Sequence, residues 1–132
     1  MPTEKYPHKI LVVEDEEVML NVLIDNLTQA GFGHLFQARN GQEALIIALK
    51  EQPDLILLDI IMPTMDGITM LKKLREDPRG KKAKVILLTN LTADDAITKS
   101  VIVNEPSYYL VKANYSMDDV IEKVKKTLSI EV

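Results

Sequence analysis

The stretch from Pro53 to Gly67, P-D-L-I-L-L-D-I-I-M-P-T-M-D-G, constrains the fold of this chain more than any other. Leu55 to Leu58 are apolar without alternation, the pattern of a strand buried on both faces, and such a strand belongs at the centre of a parallel sheet. The run ends in a charge, Asp59, and Pro63 with the Asp66-Gly67 pair then forces a turn before the next helix. In open parallel sheets, ligands gather outside the carboxyl ends of the strands. Asp59 is therefore an ionisable nucleophile placed where such a sheet has its site.

The remaining segments repeat the same unit. Residues 1–8 read as a flexible N-terminal segment and 9–132 as one domain, which opens with the strand K-I-L-V-V, Lys9 to Val13, and three acids, Glu14, Asp15 and Glu16. Helix 1 is expected to run to about Ala30 with Val18, Val22, Leu23 and Leu27 inward, and to end at Gly31 in a left-handed conformation. Residues 33–38 make a less apolar strand nearer an edge, and Asn40 with Glu43 resembles a capping box for helix 2, whose apolar face includes Ala44, Leu45, Ala48 and Leu49. Asp66 caps helix 3, with Ile68, Leu71 and Leu74 inward, until Asp77-Pro78 and Gly80 break it.

Lys84 to Thr89 is a second central strand, and Thr92 with Asp95 begins helix 4, made marginal by the β-branched run Val101, Ile102, Val103. Tyr108 to Val111 form strand 5, followed by Lys112, and Ser116 with Asp118 and Asp119 starts helix 5, with Val120, Ile121, Val124 and Leu128 inward. Five strands alternating with five helices imply an α/β domain with a doubly wound parallel sheet.

Composition excludes several function classes. At 132 residues and 46% apolar content the chain suits one globular domain, and a net charge of -4 with interspersed signs gives no footprint for direct nucleic-acid binding. No apolar run nears the roughly 18 to 20 residues of a membrane span, and the polar start lacks a secretory core, so a cytoplasmic protein with no membrane partner is expected. With no cysteine there is no thiolate metal site.

Three expected strand ends carry functional groups: Glu14 and Asp15 after strand 1, Asp59 after strand 3 and Thr89 after strand 4, with Lys112 after strand 5. Adjacent strands lie about 4.8 Å apart, so acids ending neighbouring strands come within metal-ligand distance. Such a cluster of oxygen ligands at a shallow site favours Mg²⁺. In order and spacing, V-V-E-D-E, L-L-D-I-I-M-P-T-M-D-G, L-L-T and Y-L-V-K resemble the receiver domain of two-component response regulators, over about Lys9 to Leu128.

That resemblance implies a flavodoxin-like five-stranded sheet of order 2-1-3-4-5, in a stand-alone single-domain type or a piece of a longer regulator. It implies a phosphoprotein: Asp59 takes the phosphoryl group, Mg²⁺ is held by Asp15, Asp59 and the backbone carbonyl of Ile61, and Glu14 acts mainly through water. Lys112 neutralises a phosphoryl oxygen, the Thr89 hydroxyl binds another once the product forms, and Tyr109 is the switching aromatic. The implied partners are a sensor histidine kinase or histidine phosphotransfer protein, and a downstream protein met by helix 4, strand 5 and helix 5; a homodimer is left open. Such a protein is no conventional enzyme but one that phosphorylates itself and slowly loses the group. Ile61 and Leu91, two residues beyond Asp59 and Thr89, stand where the family tunes hydrolysis, and Asn90 narrows the approach.

Two departures favour an alternative, a degenerate receiver that binds proteins without phosphorylation. Ala113 replaces the proline that usually follows the lysine through a cis peptide, and a cis non-proline bond costs roughly 2.5 to 4 kcal/mol. Asn90 replaces a small residue. Single residues have blander readings: Asp59 as a strand terminus, Glu14 and Asp15 as helix N-terminal acids, Lys112 as a solvated lysine, Tyr109 as packing with Tyr108 its rival, and His8 and His34 as structural histidines. A haloacid dehalogenase-type phosphohydrolase needs a second acid where Ile61 stands, and a flavin site needs a phosphate-cradling loop where Glu14, Asp15 and Glu16 repel phosphate.

Overall fold

A computed structural model describes residues 5–59, 65, 67–89, 108–111 and 116–130 of the chain. In chain order they form β1 (Tyr6–Val13), α1 (Glu17–Gln29), β2 (Phe32–Ala38), α2 (Gly41–Glu51), β3 (Leu55–Asp59), α3 (Gly67–Glu76), β4 (Lys84–Thr89), β5 (Tyr108–Val111) and α4 (Met117–Thr127). The last is the fifth helix expected from the sequence; the expected fourth, from Thr92, lies outside the described residues, as does the Asp66 cap. The strands pair in parallel in the order β2-β1-β3-β4-β5, so the least apolar of the first four is indeed at an edge. Among the described residues no helix is long and apolar enough to cross a membrane.

Alternation along the strands sorts the core into two layers. Leu11, Val13, Ile56, Leu58, Val85 and Leu87 face Ala44 and Ala48 of α2 and Met70, Leu71 and Leu74 of α3. Ile10, Val12, Leu55, Leu57, Ile86 and Leu88 face Leu20, Leu23 and Leu27 of α1 and Val120 and Val124 of α4. All five residues of β3 are buried, which is why its sequence shows no polar alternation.

Two expectations need correction. The flexible segment does not extend to His8: β1 begins at Tyr6, which pairs with Phe32, and the N–H groups of Lys5 and Tyr6 donate to the Gly31 carbonyl at 2.8 and 3.0 Å. This first half pairs with β2 alone, since pairing to β3 begins at Ile10, so it shows the half-exposed pattern of an edge. In α1 the inward stripe is Leu20, Leu23 and Leu27, while Val18 is 76% exposed and Val22 37%. Two apolar stripes compete on this helix, and the leucine stripe, with more area to remove from water, is the one buried.

Of the helix starts, the one at Ser116 forms the full reciprocal box and the one at Asn40 only its forward half. Asn40 Oδ1 accepts from Glu43 N at 2.8 Å, and Ser116 and Asp119 form a reciprocal capping box at 2.9 and 3.2 Å. Gly31 has φ +110°, in the region that favours glycine. After α3, Arg75 Nη1 donates to the carbonyls of Gly80 at 2.9 Å and Ala83 at 2.8 Å, fastening the turn into β4. Side-chain hydrogen bonds from Arg79 hold the nearby Asp77 carboxyl below its ordinary range.

Candidate functional site

Val13 is opposite Leu58 in the β1–β3 register, so the residues that follow on each strand emerge side by side at the carboxyl edge of the sheet. On β3 that residue is Asp59, 7% exposed and opposite Leu88 of β4. On β1 it is Glu14, whose N–H donates to the Ala38 carbonyl at 3.0 Å and carries the ladder to β2 one step past the strand end. That bond holds Glu14 in place at 1% exposure, and Glu16 N donates to its Oε2 at 3.3 Å. Asp15, next in the turn to α1, is exposed.

Glu14, Asp15 and Asp59 each bring a carboxylate oxygen within 4.8 Å of the others. Three carboxylates this close, two of them largely out of water, repel one another, and a bound cation would offset that repulsion. The donors are all oxygens, with one exposed carboxylate keeping a side open to solvent, and this is the chemistry of a hard divalent cation such as Mg²⁺ rather than of a soft or tetrahedral metal. The residues fit the ion.

The structure thus brings together three of the expected site residues. Thr89 ends β4 opposite Val111 of β5, so the backbone leaves both strands at the same edge as the acids. The side chains of Thr89 and Tyr109, and all of Ile61, Asn90, Leu91 and Lys112, lie outside what the described residues cover.

Two features escaped the sequence reading. Gly41 N donates to Met65 O at 2.8 Å, tying the first turn of α2 to the loop that follows Asp59. The Asn40-Gly41 pair had signalled only a helix start, and nothing in one sequence marks a bond across 24 residues. Arg39, just past β2, approaches Glu17 at 3.7 Å, an exposed pair at the rim worth little by itself.

Comparison with known proteins agrees with this geometry. The family model described as response regulator receiver domain matches residues 10–125. A protein-glutamate methylesterase/protein-glutamine glutaminase of Archaeoglobus fulgidus is 35% identical over 129 residues, covering 92% of this chain but 36% of its own length, so the chain spans about a third of that relative. Sporulation initiation phosphotransferase F of Bacillus subtilis is 33% identical over 123 residues, 93% of this chain and 95% of the relative. Among solved structures, a chain of the CheX-CheY-BeF3-Mg+2 complex from Borrelia burgdorferi matches with a TM-score of 0.80 at 30% identity, covering 91% of this chain and 88% of that one. A match that begins inside β1 and ends within α4 takes in all or part of every strand, and the chain belongs to the response regulator receiver domains.

Proposed function

We propose that this receiver takes a phosphoryl group onto Asp59 in a Mg²⁺-dependent reaction and passes the change to a protein partner. The carrying observation is the position of Asp59, a buried carboxylate ending the central strand with oxygens of Glu14 and Asp15 within 4.8 Å. A carboxylate oxygen of Asp59 attacks phosphorus, the bond from phosphorus to the donor nitrogen or oxygen breaks, and the leaving group keeps that electron pair. β3, buried along its whole length, fixes the Asp59 carboxylate and so supplies orientation, a large part of what phosphoryl transfer needs.

Asp15, Asp59 and the backbone carbonyl of Ile61 are the ligands assigned to Mg²⁺, with Glu14 acting through water. When bound, the ion offsets charge building on the phosphoryl oxygens. Lys112 is assigned to a phosphoryl oxygen, and the Thr89 hydroxyl and Tyr109 ring to the response after transfer. The Borrelia burgdorferi complex, which includes BeF3 and Mg, supports this ligand class here by analogy.

The donor is read as a sensor histidine kinase or histidine phosphotransfer protein in the cytoplasm. Exposed Val18 and Val22, one turn apart on α1 and beginning three residues after Asp15, provide apolar surface beside the acids that a docked donor would cover. The downstream partner is assigned to the face of the expected fourth helix, β5 and α4.

The test is incubation with a small acyl phosphate and Mg²⁺, followed by intact mass. Gain of one phosphate that disappears in Asp59→Asn is the expected result. No gain from an acyl phosphate or a phosphorylated histidine protein would sink the proposal and favour the phosphorylation-independent module suggested by Ala113 and Asn90.

A further inference from the structure

We propose that the open edge of β2 pairs with the same edge of a second copy of this chain, antiparallel and centred on Leu35, to make one continuous sheet. Among the described residues β2 pairs with β1 alone, so its far side is an edge. Gly33, His34 and Gln37 are exposed along it. Gly33 has no side chain, so its exposure is that of the backbone itself, and neither flanking helix closes that part of the edge.

The direction of each backbone group follows from the ladder. Glu14 N donates to the Ala38 carbonyl, so Ala38 turns its polar groups toward β1, and alternation along the strand turns those of Phe36 and His34 the same way. Gly33, Leu35 and Gln37 therefore turn their N–H and C=O groups to the open edge. Such a row is a template for another strand. An antiparallel copy centred on Leu35 sets Leu35 opposite its own counterpart and Gly33 opposite Gln37, each pair exchanging both bonds, so that every outward group of the three residues finds a partner.

The side chains make a second copy the fitting occupant. Leu35 and Phe36 are only half-buried, Leu35 against the layer of α1 and α4 and Phe36 against the layer of α2 and α3. A two-fold axis perpendicular to the sheet keeps each layer on its own side. Leu35 then meets its counterpart on one face, and on the other Phe36 lies opposite His34 of the second copy, an aromatic cross-strand pair. Gly33 leaves room for the Gln37 side chain that faces it.

The strand carries none of the devices that ordinarily blunt an edge, which are lysine, proline, inward charge or a bulge. Phe32–Ala38, F-G-H-L-F-Q-A, holds no lysine, arginine, acid or proline. The irregularity in the β1–β2 register puts its extra residue on β1, between Tyr6 and Lys9, and not on the edge strand. The net charge of -4 on each copy weakens association, but none of that charge lies on β2. Antiparallel pairing sends the two carboxyl edges to opposite ends, so both acid clusters stay open and the pairing does not depend on the function assigned to them.

The test uses the full chain without divalent metal, with sedimentation velocity and amide hydrogen exchange by NMR followed as protein concentration rises. In dilute protein the amides of His34, Phe36 and Ala38 should already be protected by β1, while those of Gly33, Leu35 and Gln37 should gain protection only as dimer forms. Gln37→Pro removes an outward N–H and no bond to β1, and should raise the dimer dissociation constant at least roughly tenfold with His34 and Phe36 still protected. A second variant decides the matter should that one unfold. Cα atoms of a hydrogen-bonded antiparallel pair lie about 5.5 Å apart, within disulfide range, and the chain has no cysteine of its own. Leu35→Cys should therefore link into a dimer on oxidation far faster than Ile46→Cys, at a residue 62% exposed on α2. A monomer at every concentration, which would leave the edge to a strand of another protein, overturns the proposal. So does a dimer that leaves the three outward amides unprotected, an unchanged dissociation constant in folded Gln37→Pro, or equal linking at both cysteine positions.

Discussion

Gly41 and Met65 are joined by a backbone hydrogen bond of 2.8 Å, and it fastens the start of α2 to the loop between the buried acid Asp59 and α3. The donor is held in position by its neighbour: Asn40 Oδ1 accepts from Glu43 N at 2.8 Å and sets the first turn of α2. The cap therefore reaches the candidate metal site through the backbone, without any contact to the acids being required.

Replacing that cap should loosen both ends. Asn40→Ala is expected to lower stability by about 1 kcal/mol, and Asn40→Ser to restore most of it. If the Ile61 carbonyl is a Mg²⁺ ligand as proposed, Asn40→Ala should also weaken Mg²⁺ binding by roughly tenfold, the low end for loss of an outer support of a metal ligand, because Gly41 is bonded to the loop that follows Asp59. Thermal melts and calorimetric Mg²⁺ titrations on the same samples check it. Lower stability with unchanged Mg²⁺ affinity would confine Asn40 to capping.

Two glycines should resist substitution for different reasons. A Cβ at Gly80 would collide with the Leu74 carbonyl and lie 2.8 Å from Leu74 Cγ, in the turn fastened by Arg75. Gly80→Ala is therefore expected to cost roughly 1 to 3 kcal/mol through overpacking. At Gly31 the strain is in the backbone, with φ +110° and Lys5 Cβ 2.8 Å from a built Cβ, and the alanine variant should lose at least about 1 kcal/mol. Urea midpoints at constant slope measure both, and an unshifted midpoint would contradict the packing described.

The acid cluster leads to a paired expectation for the metal. If Mg²⁺ binds only the folded chain, stability rises by RT ln(1 + [L]/Kd), about 2.7 kcal/mol at a hundredfold excess over Kd. Asp15→Asn should weaken that effect, yet the metal-free variant should be more stable than the parent, since one of three mutually repelling carboxylates is gone. The two changes have opposite signs and come from one substitution, so a general loss of folding cannot imitate them. Melting curves that ignore Mg²⁺ in both proteins would refute this account of Glu14, Asp15 and Asp59.

What one sequence could reveal followed from how local each signal was. β3 and β4 lie where their apolar runs are, because central strands buried on both faces show themselves as uninterrupted hydrophobicity. Tyr6 to His8 do not read as strand because a segment paired on one side alternates in burial, and the partner of Tyr6, Phe32, lies 26 residues on. On α1, Val18 and Leu20 are equally apolar to a periodicity argument, and only the packed sheet separates them. The meeting of Asp59 with Glu14 and Asp15 was legible because parallel topology carries strand ends to one edge. The Gly41–Met65 bond and the orphaned nitrogen of His8 were not, since each depends on distances between segments remote in sequence.

The last expectation concerns how long phosphate stays on Asp59. Loss of the group requires water to attack phosphorus in line, opposite the Asp59 oxygen, with a proton leaving the water as the bond from phosphorus to Asp59 breaks and inorganic phosphate departs. Side chains two residues beyond the acceptor and two beyond the strand-end threonine are the ones assigned to that water, and here they are Ile61 and Leu91. Neither has a donor or acceptor with which to orient it, and both add apolar bulk. At about 1.4 kcal/mol per tenfold in rate, loss of one or two positioning contacts slows hydrolysis roughly ten- to a hundredfold relative to receivers with polar residues there. The phosphorylated form should therefore persist, which suits a slow response better than rapid tracking of a signal. Ile61→Asn combined with Leu91→Glu should shorten the lifetime of the purified phosphoprotein, followed by intact mass over time. A lifetime unchanged or lengthened by that pair would show that persistence, if present, is set elsewhere, with Asn90 the next residue to change.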